Sequence, residues 1–121
     1  MPRHLRALSI LLLSTACSGP QEVLPPPYDR LAVPAGRLES APARERGRRL
    51  FLDYCAFCHG EKADGKGVRR SGLSSRPRDF TDPTWRQRTS PQHVFYVIRE
   101  GVHGTAMPAW KALGDDDTWA L

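Results

Sequence analysis

Side chains able to bind a metal or attack a substrate are scarce in this 121-residue chain: three cysteines, four histidines and two methionines, one of them the initiator Met1. A structural zinc site closes four ligands, usually as two pairs, and no second Cys-x-x-Cys or His-x-His pair accompanies Cys55 and Cys58. The strand-helix-strand pattern that frames a thioredoxin-type Cys-x-x-Cys is missing. No nucleophile paired with a base, and no pair of carboxylates set up for acid–base work, stands out. Long apolar runs are absent too: Leu8 to Leu13 is mostly apolar but too short to span a bilayer. Aromatics are not interleaved with the basic residues, which speaks against nucleic acid. The length leaves room for one domain.

What is present is Cys55-Ala56-Phe57-Cys58-His59-Gly60. Cys-x-x-Cys-His is the attachment signature of a covalently bound c-type haem, and each residue answers a separate chemical need. Positions three apart share a helical face, so Cys55 and Cys58 can reach one porphyrin edge and form thioethers with its two vinyl groups. His59 follows directly and serves as the proximal iron ligand. A redox-active disulfide and a zinc site are the competing readings of the same residues.

A second segment, Gly104-Thr105-Ala106-Met107-Pro108-Ala109-Trp110, puts the one internal methionine in a turn-rich loop. Elsewhere a thioether would fill a core; here it is a soft ligand suited to the sixth position of haem iron. His103 competes for that position, and a bis-histidine haem would be the outcome if it won. Pro108 restricts Met107 to extended backbone and favours it. Trp110 can donate its indole N–H to a haem propionate or pack against the ring.

Together, Gly47-Arg48-Arg49-Leu50-Phe51, Cys55 to Gly60 and Gly104 to Trp110 resemble the small monohaem class I c-type cytochromes of bacteria. The resemblance implies an all-α cytochrome c fold over residues 42–121, with helices wrapped around a single covalent haem c and electron transfer as the activity. It also implies that Gly47 lets the N-terminal helix cross the C-terminal one, and that Phe51 packs beside the haem. In the family the C-terminal helix runs on for further turns. Here Gly114-Asp115-Asp116-Asp117-Thr118-Trp119-Ala120-Leu121 gives about two, so the resemblance implies a truncated helix and a largely missing partner for Gly47.

The N-terminal region reads as two pieces. Arg3, His4 and Arg6 precede the apolar run and then Ser14-Thr15-Ala16-Cys17, the charged, apolar and small-residue order of a secretory signal over 1–16. It looks like a bacterial lipoprotein signal in which Cys17 is acylated, although Ser14 stands where that pattern prefers Leu. Acylation would also remove an unpaired thiol from an oxidising compartment. Pro20, Pro25, Pro26, Pro27 and Pro34 then mark residues 17–41 as an extended tether. Loss of the leader removes Arg3 and Arg6 and lowers the formal charge of +5 by two. The remaining charge is concentrated: Lys62, Lys66, Arg69, Arg70, Arg76, Arg78, Arg86 and Arg88 face only Asp64, Asp79 and Asp82 over the same stretch. Such a run is either a solvated loop or a basic rim that steers an acidic redox partner.

Local signals place the helices. Ser40 caps a helix with Pro42 in its first turn and Gly47, Leu50, Phe51, Tyr54 and Cys58 on one face. Thr81-Asp82-Pro83 opens a short helix, and Thr89-Ser90-Pro91 opens another that ends at Gly101 with Val94, Val97 and Ile98 buried and His93 exposed. Gly60 to Gly67 imitates Gly-x-x-x-x-Gly-Lys but has Gly67 where a Ser or Thr should hold magnesium, and it follows a helix, so no nucleotide is expected. Pro77 is the candidate backbone carbonyl for the His59 ring N–H. The sequence therefore predicts a one-electron carrier with His59/Met107 ligation, exported to the periplasm and tethered through Cys17, working between respiratory or dehydrogenase partners. A haem enzyme subunit or gas sensor with a labile distal ligand is the alternative, and a zinc or thiol module a third.

Overall fold

Prolines and small polar caps decide where the helices of this chain begin. The computed structural model describes residues 23–121. The leader over 1–16 and Cys17 lie outside the described residues. A short α1 (Ala35–Leu38) precedes α2 (Ala41–Leu50), which Ser40 opens by accepting a hydrogen bond from Ala43 N at 3.3 Å. Pro42 occupies the first turn, where its missing N–H leaves no bond unmade. The same device recurs twice. Asp82 accepts from Thr84 N to open α4 (Pro83–Arg88), and Ser90 accepts from His93 N to open α5 (Pro91–Glu100), which stops at Gly101.

Between Leu50 and Ala56 the helix widens. Phe51–Cys55 forms a π turn in which Ala56 N donates to Phe51 O, and α3 (Ala56–His59) continues from it to Gly60. Such single wide turns recur where side chains must be re-aimed at a functional site. The last helix, α6 (Gly114–Ala120), follows a 3₁₀ turn at Lys111–Leu113. Among the described residues every regular element is helical. None is long and apolar enough to cross a membrane.

The expectation that the partner of Gly47 is largely missing is corrected here. α6 crosses α2 directly at this glycine, so close that a Cβ built on Gly47 would stand 1.8 Å from Ala120 O. No side chain fits such an approach, which explains a glycine in mid-helix despite its cost of about 1 kcal/mol relative to alanine. Two further kinds of contact hold α6. Trp119 packs on Phe95 of α5 with ring centroids 4.5 Å apart, and buried Thr118 satisfies its hydroxyl by donating to Gly114 O at 2.6 Å. Each aspartate of the first turn then reaches a different element: Asp115 pairs with Arg99 of α5, Asp116 with Arg37 of α1 and Asp117 with Arg46 of α2. Acids at a helix start also suit its dipole. Exposed pairs contribute only about 0.2–1 kcal/mol each, but three of them fasten a helix of two turns on three sides.

Three other expectations change. Phe95, not Val94, Val97 or Ile98, is the deepest residue of α5 at 4% exposure, because the rotation of that helix is set by Trp119 on α6. His93 is half-buried rather than exposed, its ring 6.4 Å from that of Tyr96. The extended tether is replaced, from Tyr28 on, by a docked segment: a 3₁₀ turn at Tyr28–Arg30 rests against α5, with Tyr28 edge-on to Tyr96 at 5.0 Å. Aromatic burial outweighs the extended preference of the neighbouring prolines there.

The crossing makes a direct prediction. Gly47→Ala should destabilise the protein by at least about 2 kcal/mol, as overpacking a tight contact does. Gly36→Ala, with nothing within 4 Å of its added Cβ, should be neutral or stabilising by up to about 1 kcal/mol. Urea unfolding of the two variants side by side checks the contrast.

Candidate functional site

The wide turn and α3 carry three reactive side chains within one helical turn. Cys55 closes the π turn, Cys58 lies one turn on, and neither is disulfide-bonded. Burial, reinforced by the neighbouring Cys58, pushes the Cys55 thiol up to about 11. A thiol so held carries little thiolate at neutral pH. Among the described residues no group of three or more His, Cys, Asp or Glu side chains is placed to hold a metal ion.

His59 is oriented by a loop that folds back on it. Its Nδ1 lies 3.1 Å from the carbonyl oxygen of Arg78. This corrects the assignment to Pro77 by one residue. The physical reason lies at Gly65, which adopts φ +72° and passes so close beneath the returning chain that an added Cβ would be 2.7 Å from Pro77 O. Pro77 O therefore faces Gly65, and the next carbonyl turns to the imidazole. Phe80 N donating to Ala63 O at 2.8 Å pins the same crossing. With Nδ1–H donating to Arg78, the Nε2 lone pair is left available to a metal, the usual outer-shell arrangement for a histidine ligand. Burial pushes the His59 imidazole below its ordinary value, and the Arg78 bond partly offsets that.

The glycine run after His59 is spent on this fold-back. Gly65 N donates to His59 O at 2.7 Å and Gly67 N to Cys58 O at 3.1 Å, so these amides are not free to cradle a phosphate.

Aromatic side chains gather on His59. The His59 ring stacks on Phe80 at 4.7 Å, and Phe80 meets both Phe51 at 6.4 Å and Trp85 at 5.2 Å. Tyr54 reaches Trp110 at 5.6 Å, which joins this helix to the loop holding Met107. That loop is well tied. Val102 N donates to Met107 O at 3.1 Å, Met107 N donates to the Thr105 hydroxyl at 3.1 Å, and that hydroxyl donates to Val102 O. Met107 is half-buried, whereas His103 is exposed. The structure thus gathers Phe51, Cys55, Cys58 and His59 on one helix, and links Met107 and Trp110 to it through Tyr54. Pro77 belongs to the support of the fold-back, and Cys17 lies outside the described residues. Sequence reasoning missed Arg78 and Phe80, whose backbone and ring complete the His59 environment.

A large flat apolar group fits these residues. Among the described residues Ala56 and Phe95 are the only buried hydrophobic ones, while Leu52, Tyr54, Phe57, Val68 and Val102 are exposed. A chain with so few buried apolar residues needs another source of apolar contact. Two thiols on one helical turn and an imidazole with its second nitrogen already engaged fit the attachment and proximal side of a c-type haem.

Comparison with known proteins agrees. A family model described as cytochrome c oxidase, cbb3-type, subunit III matches residues 42–121. The chain is 38% identical over 73 residues to the cbb3-type cytochrome c oxidase subunit FixP of Rhizobium meliloti (strain 1021), covering 60% of this chain and 23% of that protein. It is 34% identical over 85 residues to cytochrome c55X of Stutzerimonas stutzeri, covering 65% of this chain and 64% of that protein. It therefore spans about a quarter of the length of the FixP subunits it matches. Among solved structures, a chain of the reducing HAO-like protein complex of Kuenenia stuttgartiensis shares the fold. Its TM-score is 0.59 at 24% identity, over 74% of this chain and 41% of that one.

The fold-back can be broken at one atom. Gly65→Ala should cost at least about 1 kcal/mol, since it adds a side chain at positive φ. It should also move Arg78 O off the imidazole. Faster solvent exchange of the His59 Nδ1 proton, read by NMR in the matured protein, is the expected sign. An unchanged exchange rate would contradict the role given to Gly65.

Proposed function

Because this chain belongs over residues 42–121 to the family of cbb3-type cytochrome c oxidase subunit III, and so carries a covalently bound c-type haem, we propose that it is a one-electron carrier on the periplasmic side of the membrane. In this reading Cys55 and Cys58 hold the haem by thioethers, His59 and Met107 are the axial ligands, and Phe51 and Trp110 pack at its margin. The observation that carries it is the His59 Nδ1 bond to Arg78 O, on the same helical turn as both cysteines. The haem supplies the reversible one-electron change.

The residues of the chain keep that change easy. Arg78 O fixes the His59 ring and its tautomer, so the imidazole need not turn. The Val102 and Thr105 hydrogen bonds hold the Met107 backbone on both sides. Half-burial of Met107 against exposure of His103 supports the thioether as the sixth ligand. Held ligands change little between oxidation states, which suits transfer over chemistry.

Partner and place follow from the surface. Phe57 and Val68 are exposed beside the cysteines, and the Arg69 guanidinium lies 5.8 Å from the Phe57 ring centroid. Lys62, Arg70, Arg76, Arg78, Arg86 and Arg88 are exposed as well. The acids of α6, by contrast, are already engaged by Arg37, Arg46 and Arg99. This asymmetry supports docking of an acidic redox protein, whose association should weaken as salt rises. The relatives named as oxidase subunits favour a respiratory partner. The segment Ser14-Thr15-Ala16-Cys17 supports a lipid anchor at Cys17.

Absorption spectra of the protein, exported with a cytochrome c maturation system, test the reading. Haem should stay on the chain through acid–acetone extraction. The oxidised protein should show a sulfur-to-iron charge-transfer band that Met107→Ala abolishes. Covalent haem without that band would transfer the sixth position to His103 or leave it open, and rapid carbon monoxide binding by the reduced protein would identify the open form.

A further inference from the structure

Residues 25–38 precede the family-matched region 42–121, yet they pack against it at a particular place. Tyr28 lies edge-on to Tyr96 at 5.0 Å and 6.3 Å from the Phe95 ring. Its hydroxyl donates to Glu100 Oε1 at 2.5 Å. Gln92 Nε2 donates to Leu31 O at 3.4 Å and ties the strap down one turn away.

Glu100 is the last residue of α5, and its second oxygen faces Lys111 Nζ at 2.8 Å. Lys111 is held again through its backbone, where its carbonyl accepts from Arg99 Nη1 at 3.2 Å. Next to it, Trp110 N donates to Ile98 O at 2.8 Å. These bonds join the two ends of one loop, Gly101 to Trp110, and that loop carries Met107. The closure is tight: a Cβ on Gly101 would stand 2.7 Å from Met107 O. The Glu100 carboxylate is thus shared between the strap and the far end of the methionine loop. Its value is pushed below the ordinary carboxylate range by Lys111 and then by Tyr28, while burial and Glu100 push the Tyr28 phenol up.

We infer that Tyr28 is a positioning residue for Met107, acting through the Glu100–Lys111 pair to hold the base of the methionine loop closed. The inference rests on the reading of Met107 as the sixth ligand. It gives the N-terminal strap a task in ligation, beyond linking the domain to whatever precedes it. Loss of the Tyr28 hydroxyl leaves the ring packed on Tyr96 and removes one of the two bonds that fix the Glu100 carboxylate. The loop then opens more readily, and an external ligand competes better for the iron.

The test uses the matured holoprotein and imidazole as the competing ligand, following loss of the sulfur-to-iron band. Tyr28→Phe should raise the apparent imidazole affinity about tenfold, the fold-change of one lost hydrogen bond to a charged group. Glu100→Gln should do the same, and the double variant should add little, since both act on one chain of contacts. Arg46→Gln, which weakens the α2–α6 contact away from this loop, should lower global stability and leave imidazole affinity unchanged. Equal affinity in wild type and Tyr28→Phe overturns the inference. So does a rise that merely tracks global stability, with Arg46→Gln showing it too. Absence of the band from the wild type would instead overturn the Met107 reading, and this inference with it.

Discussion

The constraint on which the rest of this structure depends is how little apolar surface the polypeptide can bury by itself. Ala56 and Phe95 are its only buried apolar residues among those described, and no large side chain is fully enclosed. Hydrophobic burial is the dominant favourable force in folding, so a small helical chain with such a core is marginal on its own. The covalently bound haem that the family implies would supply further apolar area. The exposed aromatics around Cys55 and Cys58, and the stack of His59 on Phe80, are the protein's side of that arrangement. Fold and cofactor site are therefore one object.

Where side chains cannot fill space, backbones approach instead. α6 lies on α2 through Gly47, and the returning loop lies on Gly65 and so aims Arg78 O at His59. Electrostatics complements the crossing of α6. The three aspartates that open α6 take up arginines from α1, α2 and α5, while the basic residues of the loops around the cysteines stay exposed. Arg46 holds the Asp117 carboxyl below the ordinary carboxylate range. A carboxylate depressed in the folded state stabilises above its unfolded value and loses that contribution as pH falls through the folded one. The clamp on α6 therefore weakens in acid, and the exposed basic face remains charged.

Much of this was legible in the sequence because the signals are local. Ser40, Asp82 and Ser90 cap their helices through bonds to the backbone two or three residues away, and Gly101 ends α5 at the expected place. Cys55, Cys58 and His59 are fixed by spacing on one turn. What was not legible depends on distant contacts. The His59 acceptor moved from Pro77 to Arg78 because the register of that loop is set by its crossing over Gly65. Phe95 is the deepest residue of α5 because Trp119, on another helix, sets the rotation. Residues 25–38 looked extended because their prolines are local, whereas the bond that docks them joins Tyr28 to Glu100. The crossing of α6 over Gly47 was underestimated because length alone omits the ion pairs that fasten a short helix.

The claim that haem and fold are one object is tested most directly by unfolding the protein with and without its haem. The matured protein is compared with the exported Cys55→Ala/Cys58→Ala variant in urea, followed by far-ultraviolet circular dichroism. The matured protein should unfold in one cooperative transition. The haem-free variant should have reduced helix content and a gradual change with no resolved midpoint. A haem-free chain with native-like helix content and a cooperative transition would contradict the account, since it would show that the polypeptide packs a sufficient core of its own.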